Sequence, residues 1–352
     1  MEEVTVAITN YNGVEHLPHC IEAVRALDYP RYSLLVVDNA STDGSVALLR
    51  ERYPDVRLIE LEENRGPGPA RNAALREATT DLVFCIDNDA VLTPACLTKL
   101  VKALRADERV VACQPRVVYD LDPDRIHYDG GEVHFLGMCS LWNFREPVAD
   151  CAPETKACDI LIAVAILFDR TKLERDDRFD EEFFIFFEDQ ELAHRLRLKG
   201  HRILIVSGAR VRHREGTAGV SWRPGGTLTD RRAYFFTRNR WMLIGKNYAT
   251  RSLVVLAPAL LAYEAVWMLF LTSKGRLGSY VRGIRDALRA RPRIREERRR
   301  IQQSRQLRDR DILAGARLTF AVPKTDKPLQ SLIVAIMNAF FKGYWRCVRF
   351  LV

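Results

Sequence analysis

Within the first 113 residues, short apolar runs alternate with helical patterns, and this alternation restricts the fold more than any other feature. The runs are Val4–Thr9, Leu34–Val37, Val56–Ile59, Leu82–Ile86 and Val110–Cys113. Helical patterns stand between them: to about Leu27, from Ser41-Thr42-Asp43-Gly44 to about Tyr53, over Ala70–Ala78, and from about Pro94 to Arg105. Ser41 and Asp43 are natural helix caps. A βαβα order predicts an α/β chain with a doubly wound, mostly parallel sheet. Right-handed crossovers bring the strand ends to one edge, so that the loops after strands one, two and four share a crevice.

The fourth run stops abruptly in Asp87-Asn88-Asp89. With a strand at 82–86, both carboxylates project from its carboxyl end, where open α/β sheets bind ligands. Two carboxylates one residue apart can hold a hard divalent cation and, through it, a diphosphate. Taken alone, the same tripeptide also serves as a β-turn.

Residues 115–157 are less regular and predict a β-rich insertion, followed by a central strand in the apolar run Asp159–Phe168. An aromatic run, Phe179–Phe187, leads into Glu188-Asp189-Gln190-Glu191 and a helix to Lys199, with Gly200 at the C-cap. Two short strands, Arg202–Val206 and Ala209–Arg212, lead to His213, and a helix over Thr229–Asn247 ends the globular part. The eight cysteines include no Cys-x-x-Cys pair and read as reduced, mostly buried thiols of a cytosolic protein. Met1-Glu2-Glu3 leads straight into a strand-like run, so no signal peptide is expected.

Charge separates the tail from the rest. Residues 251–352 carry 21 Lys+Arg against 7 Asp+Glu, whereas the whole chain has a net charge of +8. Leu253–Leu271 is nearly all apolar, with Glu264 its only charge. Gly275–Arg310 is arginine-rich, and Leu329–Val352 carries the apolar stripe of an amphipathic helix. An interfacial helix beside a cationic patch suits an anionic membrane surface, at the cytoplasmic face of the cell membrane. Nucleic acid would need the arginines but not the apolar segments. Leu253–Leu271 is long enough to span a bilayer, but Glu264 favours burial or an interfacial position. Packing of these helices on one another, or on a second copy in a homo-oligomer, is the bland alternative.

Taken together, the N-terminal motifs resemble glycosyltransferase family 2, in the rhamnosyltransferase-like branch. The residues that carry the resemblance are Val6–Gly13, Val36–Ser45, Asn64-Arg65-Gly66 with Ala70-Arg71-Asn72, and Asp87-Asn88-Asp89; Phe183–Glu191 with Arg195-Leu196 resembles the family's Glu-Asp motif. The similarity covers roughly residues 4–240 and implies a GT-A catalytic domain over 1–250. Its nucleotide-binding half would be 1–115 and its acceptor-binding half 116–250, with 251–352 a membrane-associated helical tail.

The resemblance also implies roles. Thr9 and Tyr11 would flank the nucleotide base, and Asp38 would accept the imide N–H of uracil or thymine, which does not separate UDP from dTDP. Arg71 would lie near the nucleotide. Asp89 would ligate Mg²⁺ or Mn²⁺, with Asp87 nearer the ribose or sugar and His213 near the metal or diphosphate. Asp189 would be the general base, with Glu188 orienting a hydroxyl or tuning the pair. Base and metal on opposite faces of the sugar imply inversion, with one sugar passed to a polyprenyl-diphosphate-linked or glycan acceptor.

Each residue also has a plainer reading: Tyr11 a packed loop aromatic, Asp38 a cap or turn residue, Arg71 a solvated helix residue, His213 structural, and 188, 189 and 191 acidic first-turn residues. Two departures concern the acceptor side. Ile162–Ile166 replaces the Ser-Gly-Ala common in the related branch, and Thr237 stands where processive synthases have Gln or Arg. The competing classes are a catalytically silent membrane- or nucleic-acid-binding scaffold and a sugar-phosphate nucleotidyltransferase. The latter lacks its expected Gly-rich, basic loop after strand one.

Overall fold

The structure is a computed structural model; it describes residues 2–214, 228–318 and 328–352, except for the side chains of 328–331. In chain order the strands are β1 Val4–Asn10, β2 Tyr32–Asp38, β3 Arg57–Glu60, β4 Leu82–Asp87, β5 Ala90–Leu92, β6 Val110–Tyr119, β7 Ile126–Tyr128, β8 Gly131–His134, β9 Met138–Leu141, β10 Thr155–Cys158, β11 Ala165–Asp169, β12 Arg202–His213 and β13 Leu313–Ala314. The helices are α1 Leu17–Arg25, α2 Ser45–Arg52, α3 Pro67–Glu77, α4 Cys96–Arg105, α5 Glu188–Leu198, α6 Asp230–Asn247, α7 Thr250–Ser273, α8 Leu277–Arg289, α9 Arg291–Ser304 and α10 Pro328–Val348. They fall into two compact units, one drawn from Met1–Gly130, Trp142–Leu196 and His201–Gly216, the other from Gly131–Leu141, Arg197–Gly200 and Thr217–Val352.

The first unit is built on one large sheet in the order β10-β12-β6-β11-β4-β1-β2-β3. β1 pairs in parallel with β2 and β4, and β2 with β3, as the alternation predicts. The central strands β1, β4 and β11 are buried on both faces, so they read as near-continuous apolar runs and not as alternating ones. Val4, Val6 and Ile8 of β1 pack with Leu17, Ile21 and Val24 of α1 and with Leu97, Leu100 and Leu104 of α4. Ala7 faces the other way, toward Ala70, Ala73 and Ala74 of α3 and Leu192 and Leu196 of α5.

Two sequence readings change. The central strand is shorter than the run Asp159–Phe168, and β11 lies antiparallel between β4 and β6. Where the sequence reads two short strands, Arg202–Val206 and Ala209–Arg212, β12 is one strand with an irregularity between Val206 and Arg210. The expected β-rich insertion is present as β7 to β10.

The second unit is helical, with a small sheet in the order β13-β8-β9. α7 is long and apolar enough to cross a membrane, by length and composition. It is nevertheless two-sided. Leu256, Leu260, Tyr263, Glu264 and Leu271 are buried, whereas Val254, Leu261, Met268 and Leu269 are exposed. Glu264 is buried against protein: its Oε2 accepts from Arg240 Nη1 of α6 at 2.7 Å. In α10, Phe341 and Trp345 are buried, and Leu332, Ile333, Ile336 and Phe340 are exposed.

Candidate active site

The carboxyl ends of β1, β2 and β4 lie level, with Asn10 beside Asp38 and Thr9 beside Asp87. Asp38 is buried. Its Oδ1 accepts from Asn10 Nδ2 at 2.7 Å and its Oδ2 from the Ser41 amide at 2.8 Å. The second bond is the turn role; each oxygen keeps a further lone pair for a ligand N–H. Asn10 Oδ1 in turn accepts from Asn88 Nδ2 at 2.7 Å, so one asparagine ties three strand ends together. Gly13 makes room for this link, because a Cβ there would lie 2.0 Å from Asn88 Nδ2. Thr9 is buried, and Tyr11 stands 40% exposed just past β1.

Arg71 is not a solvated helix residue; it is 2% exposed. Its Nη2 donates to Asp87 Oδ1 at 2.6 Å and to the Ala163 carbonyl at 3.2 Å, and its Nη1 to Glu188 Oε1 at 3.4 Å. The guanidinium carbon lies 5.5 Å from the Phe179 ring centre. One buried cation thereby joins the Asp-x-Asp motif to the Glu-Asp motif. Burial pushes the Asp87 carboxyl up, and the Arg71 charge opposes this.

Asp89 is buried, and its Oδ2 lies 3.3 Å from His213 Nε2. The pairing of β5 with β12 sets His213 opposite Ala90, which brings the two side chains together. Among the described residues no three His, Cys, Asp or Glu side chains form a complete cation site. The Asp89–His213 pair alone fits two adjacent positions of an octahedral ion, whose ligands at about 2.1 Å lie about 3 Å apart.

Glu188 and Asp189 open α5 after a tight loop in which Phe184, Phe186 and Phe187 have φ of 58, 65 and 71°. Such left-handed conformations cost about 1–3 kcal/mol each and persist only where surrounding contacts fix them. Here Asn72 holds the Phe179 backbone from both sides, at 2.8 and 2.9 Å. Gly66 meets the loop so closely that a Cβ would lie 1.8 Å from the Phe184 carbonyl oxygen. Asp189 Oδ1 accepts the Gln190 amide at 2.8 Å and its Oδ2 the Ala163 amide at 3.2 Å. Burial raises its pKa, opposed by the Arg71 charge and these amides. Burial, then the Asp189 charge, raises Glu188 to about 8. Glu191 is a structural partner, its carboxylate accepting Arg195 Nε at 2.8 and 2.9 Å.

Asn39 Oδ1, Arg71 Nε and Glu188 Oε2 are buried and have no partner among the described residues. Such atoms are polar groups that a ligand or water can satisfy. Sequence reading missed the bridging role of Asn10 and Asn88, although both lie inside the motifs. It also missed His127, which carries no local signal; its Nδ1 lies 3.4 Å from His213 Nδ1.

Residues 5–157 match the profile of Glycosyl transferase family 2. Over 178 residues the chain is 28% identical to the teichoic acid poly(glycerol phosphate) polymerase of Staphylococcus epidermidis, covering 47% of this chain and 23% of that protein. Over 121 residues it is 32% identical to the succinoglycan biosynthesis protein ExoO of Rhizobium meliloti, covering 34% and 35%. The chain thus spans about a third or less of these curated relatives. The mannosyltransferase PcManGT from Pyrobaculum calidifontis, solved with GDP-Man and Mn²⁺, superposes with a TM-score of 0.51 at 23% identity, over 82% of this chain and 87% of that one. The shared architecture is the GT-A fold. The similarity to Glycosyl transferase family 2 thus covers residues 5–157, less than half of the chain.

Proposed function

We propose that the chain is an inverting, divalent-metal-dependent glycosyltransferase that moves one sugar from a UDP- or dTDP-sugar to a lipid-linked or surface-polysaccharide acceptor. The observation that carries this reading is the single buried cation, Arg71, between Asp87 and Glu188. It ties the Asp-x-Asp motif to the acidic pair at the start of α5. Support from relatives is of the same kind: the polymerase and the succinoglycan protein are named for surface polymers, and PcManGT was solved with a nucleotide sugar and Mn²⁺.

Asp38 accepts the imide N–H of the base, and the exposed ring of Tyr11 stacks on it, with Thr9 flanking the base beside it. Asp89 and His213 would hold the cation, and an imidazole in the ligand set favours Mn²⁺ over Mg²⁺. A cation bound there supplies Lewis-acid stabilisation of the departing diphosphate. Asp87, held by Arg71, orients the sugar end of the donor. Asp189 takes the proton of the acceptor hydroxyl as its oxygen bonds to the anomeric carbon. The electron pair of the broken bond leaves with the diphosphate, and attack opposite to it inverts the centre. Glu188, which keeps its proton near neutral pH, donates a hydrogen bond to a substrate hydroxyl. The acceptor is met at the cytoplasmic face of a membrane, a reading that the exposed apolar faces of α7 and α10 and the basic tail support.

The test is thermal shift with UDP, dTDP, GDP and CDP, each with and without Mn²⁺, on wild type and Asp89→Ala. A ligand of the folded state raises the melting temperature. Mn²⁺-dependent stabilisation by UDP or dTDP, lost in Asp89→Ala, is expected. No response from folded wild type to any of the four would overturn the donor site.

A further inference from the structure

β7 delivers a second imidazole to the crevice. Its pairing with β6 is irregular: Val117 is opposite Tyr128 and Val118 is opposite Ile126, so His127 is the extra residue between them. An extra residue of this kind re-aims a side chain. The ring is buried between Tyr119 and Tyr128, at centroid distances of 4.3 and 3.8 Å, which fixes its plane. Its Nδ1 faces His213 Nδ1 at 3.4 Å, while His213 Nε2 faces Asp89 Oδ2 at 3.3 Å.

We propose that His127 is a positioning residue for the cation: it accepts the Nδ1–H of His213 and so holds that ring in the tautomer whose bare Nε2 is a metal ligand. The inference rests on the reading of Asp89 and His213 as the cation site. Two facing Nδ1 atoms at this distance share one proton, so the two tautomers are tied. Without a cation, His213 can donate from Nε2 to Asp89 and accept at Nδ1 from His127. A cation on Nε2 requires the reverse: Nδ1–H on His213, a bare Nδ1 on His127, and the proton of His127 on its Nε2. Both rings stay neutral in both arrangements, with one proton each. A carbon-only ring at 127 keeps the stacking but offers no acceptor.

The experiment is calorimetric titration of Mn²⁺ into UDP-saturated wild type, His127→Phe and His127→Asn. Loss of an outer partner of a metal-bound histidine weakens metal binding about 10–100-fold. That loss is expected in His127→Phe, with most of the affinity restored in His127→Asn, whose amide oxygen can accept. His127→Phe binding Mn²⁺ within about twofold of wild type would overturn the proposal alone. Wild type binding no Mn²⁺ would overturn the cation site and this proposal with it. Should His127→Phe not fold, imidazole ¹⁵N shifts of wild type with diamagnetic Mg²⁺ and UDP decide: a protonated Nδ1 on His213 supports the proposal, and a bare one ends it.

Discussion

Glu188 and Asp189 are adjacent in sequence, yet the fold gives them different surroundings. Asp189 has two backbone amides on its oxygens, and Glu188 has a buried oxygen with none. The amides and Arg71 favour the charged form of Asp189, so it can serve as a base, while Glu188 retains its proton. For Asp189→Asn, transfer is expected to fall roughly 10²–10⁴-fold, with nucleotide-induced thermal shifts unchanged; near-wild-type turnover would remove it from the base role. Glu188 makes a separate prediction about stability. Its pKa goes from 4.5 in the open chain to about 8 in the fold, so the folded state binds this proton more tightly. The stability gained is complete below pH about 4.5 and is lost as pH rises through about 8. In metal-free protein, the unfolding free energy of wild type relative to Glu188→Gln is therefore expected to drop by up to a few kcal/mol between pH 5 and 9. Urea titrations across that range give the difference, and a flat one would show that Glu188 is not held protonated.

At the scale of elements, the site depends on how closely two loops approach. Gly66 has φ 96° and ψ 171°, a region open essentially to glycine alone, and it touches the Phe184 carbonyl. Gly66→Ala combines backbone strain with a backbone clash and is expected to cost about 2 kcal/mol or more, read as a lower urea midpoint. A loss below about 0.5 kcal/mol would mean that the 184–187 loop relaxes easily. The same junction marks the limit of what the sequence makes legible. β1, β2 and β4 could be read because strands buried on both faces are apolar runs that end at polar residues. The direction of β11 could not, since such a run looks the same parallel or antiparallel. The kink near Gly208 reads as a break between strands, although the ladder resumes beyond it. Arg71 could be matched to a motif, but its burial could not be seen, because its partners lie 16 and 117 residues away. The left-handed phenylalanines are likewise met by residues distant in sequence, such as Gly66 against the Phe184 carbonyl.

Across the whole molecule, the net charge and the exposed apolar faces coincide in one stretch of chain. Residues 251–352 hold 21 of the 54 basic residues and only 7 of the 46 acidic ones. The same stretch exposes Val254, Leu261 and Leu269 on α7, and Leu332, Ile333, Ile336 and Phe340 on α10. α7 cannot be wrapped in lipid without stripping the Arg240–Glu264 pair, and breaking such a buried pair costs about 3–5 kcal/mol. A helix with one face packed and the other apolar suits the plane of an interface and not its normal. Basic residues near an anionic surface add about 1 kcal/mol each, so binding should require anionic lipid and weaken with salt. Ile336→Asp with Phe340→Asp alters two exposed positions, which predicts an unchanged melting temperature and a loss of flotation with phosphatidylserine vesicles of at least tenfold. Equal flotation of the double variant would take α10 out of the membrane contact. Failure of wild type to float, together with a concentration-dependent dimer abolished by the same substitutions, would reassign these faces to a second copy of the chain.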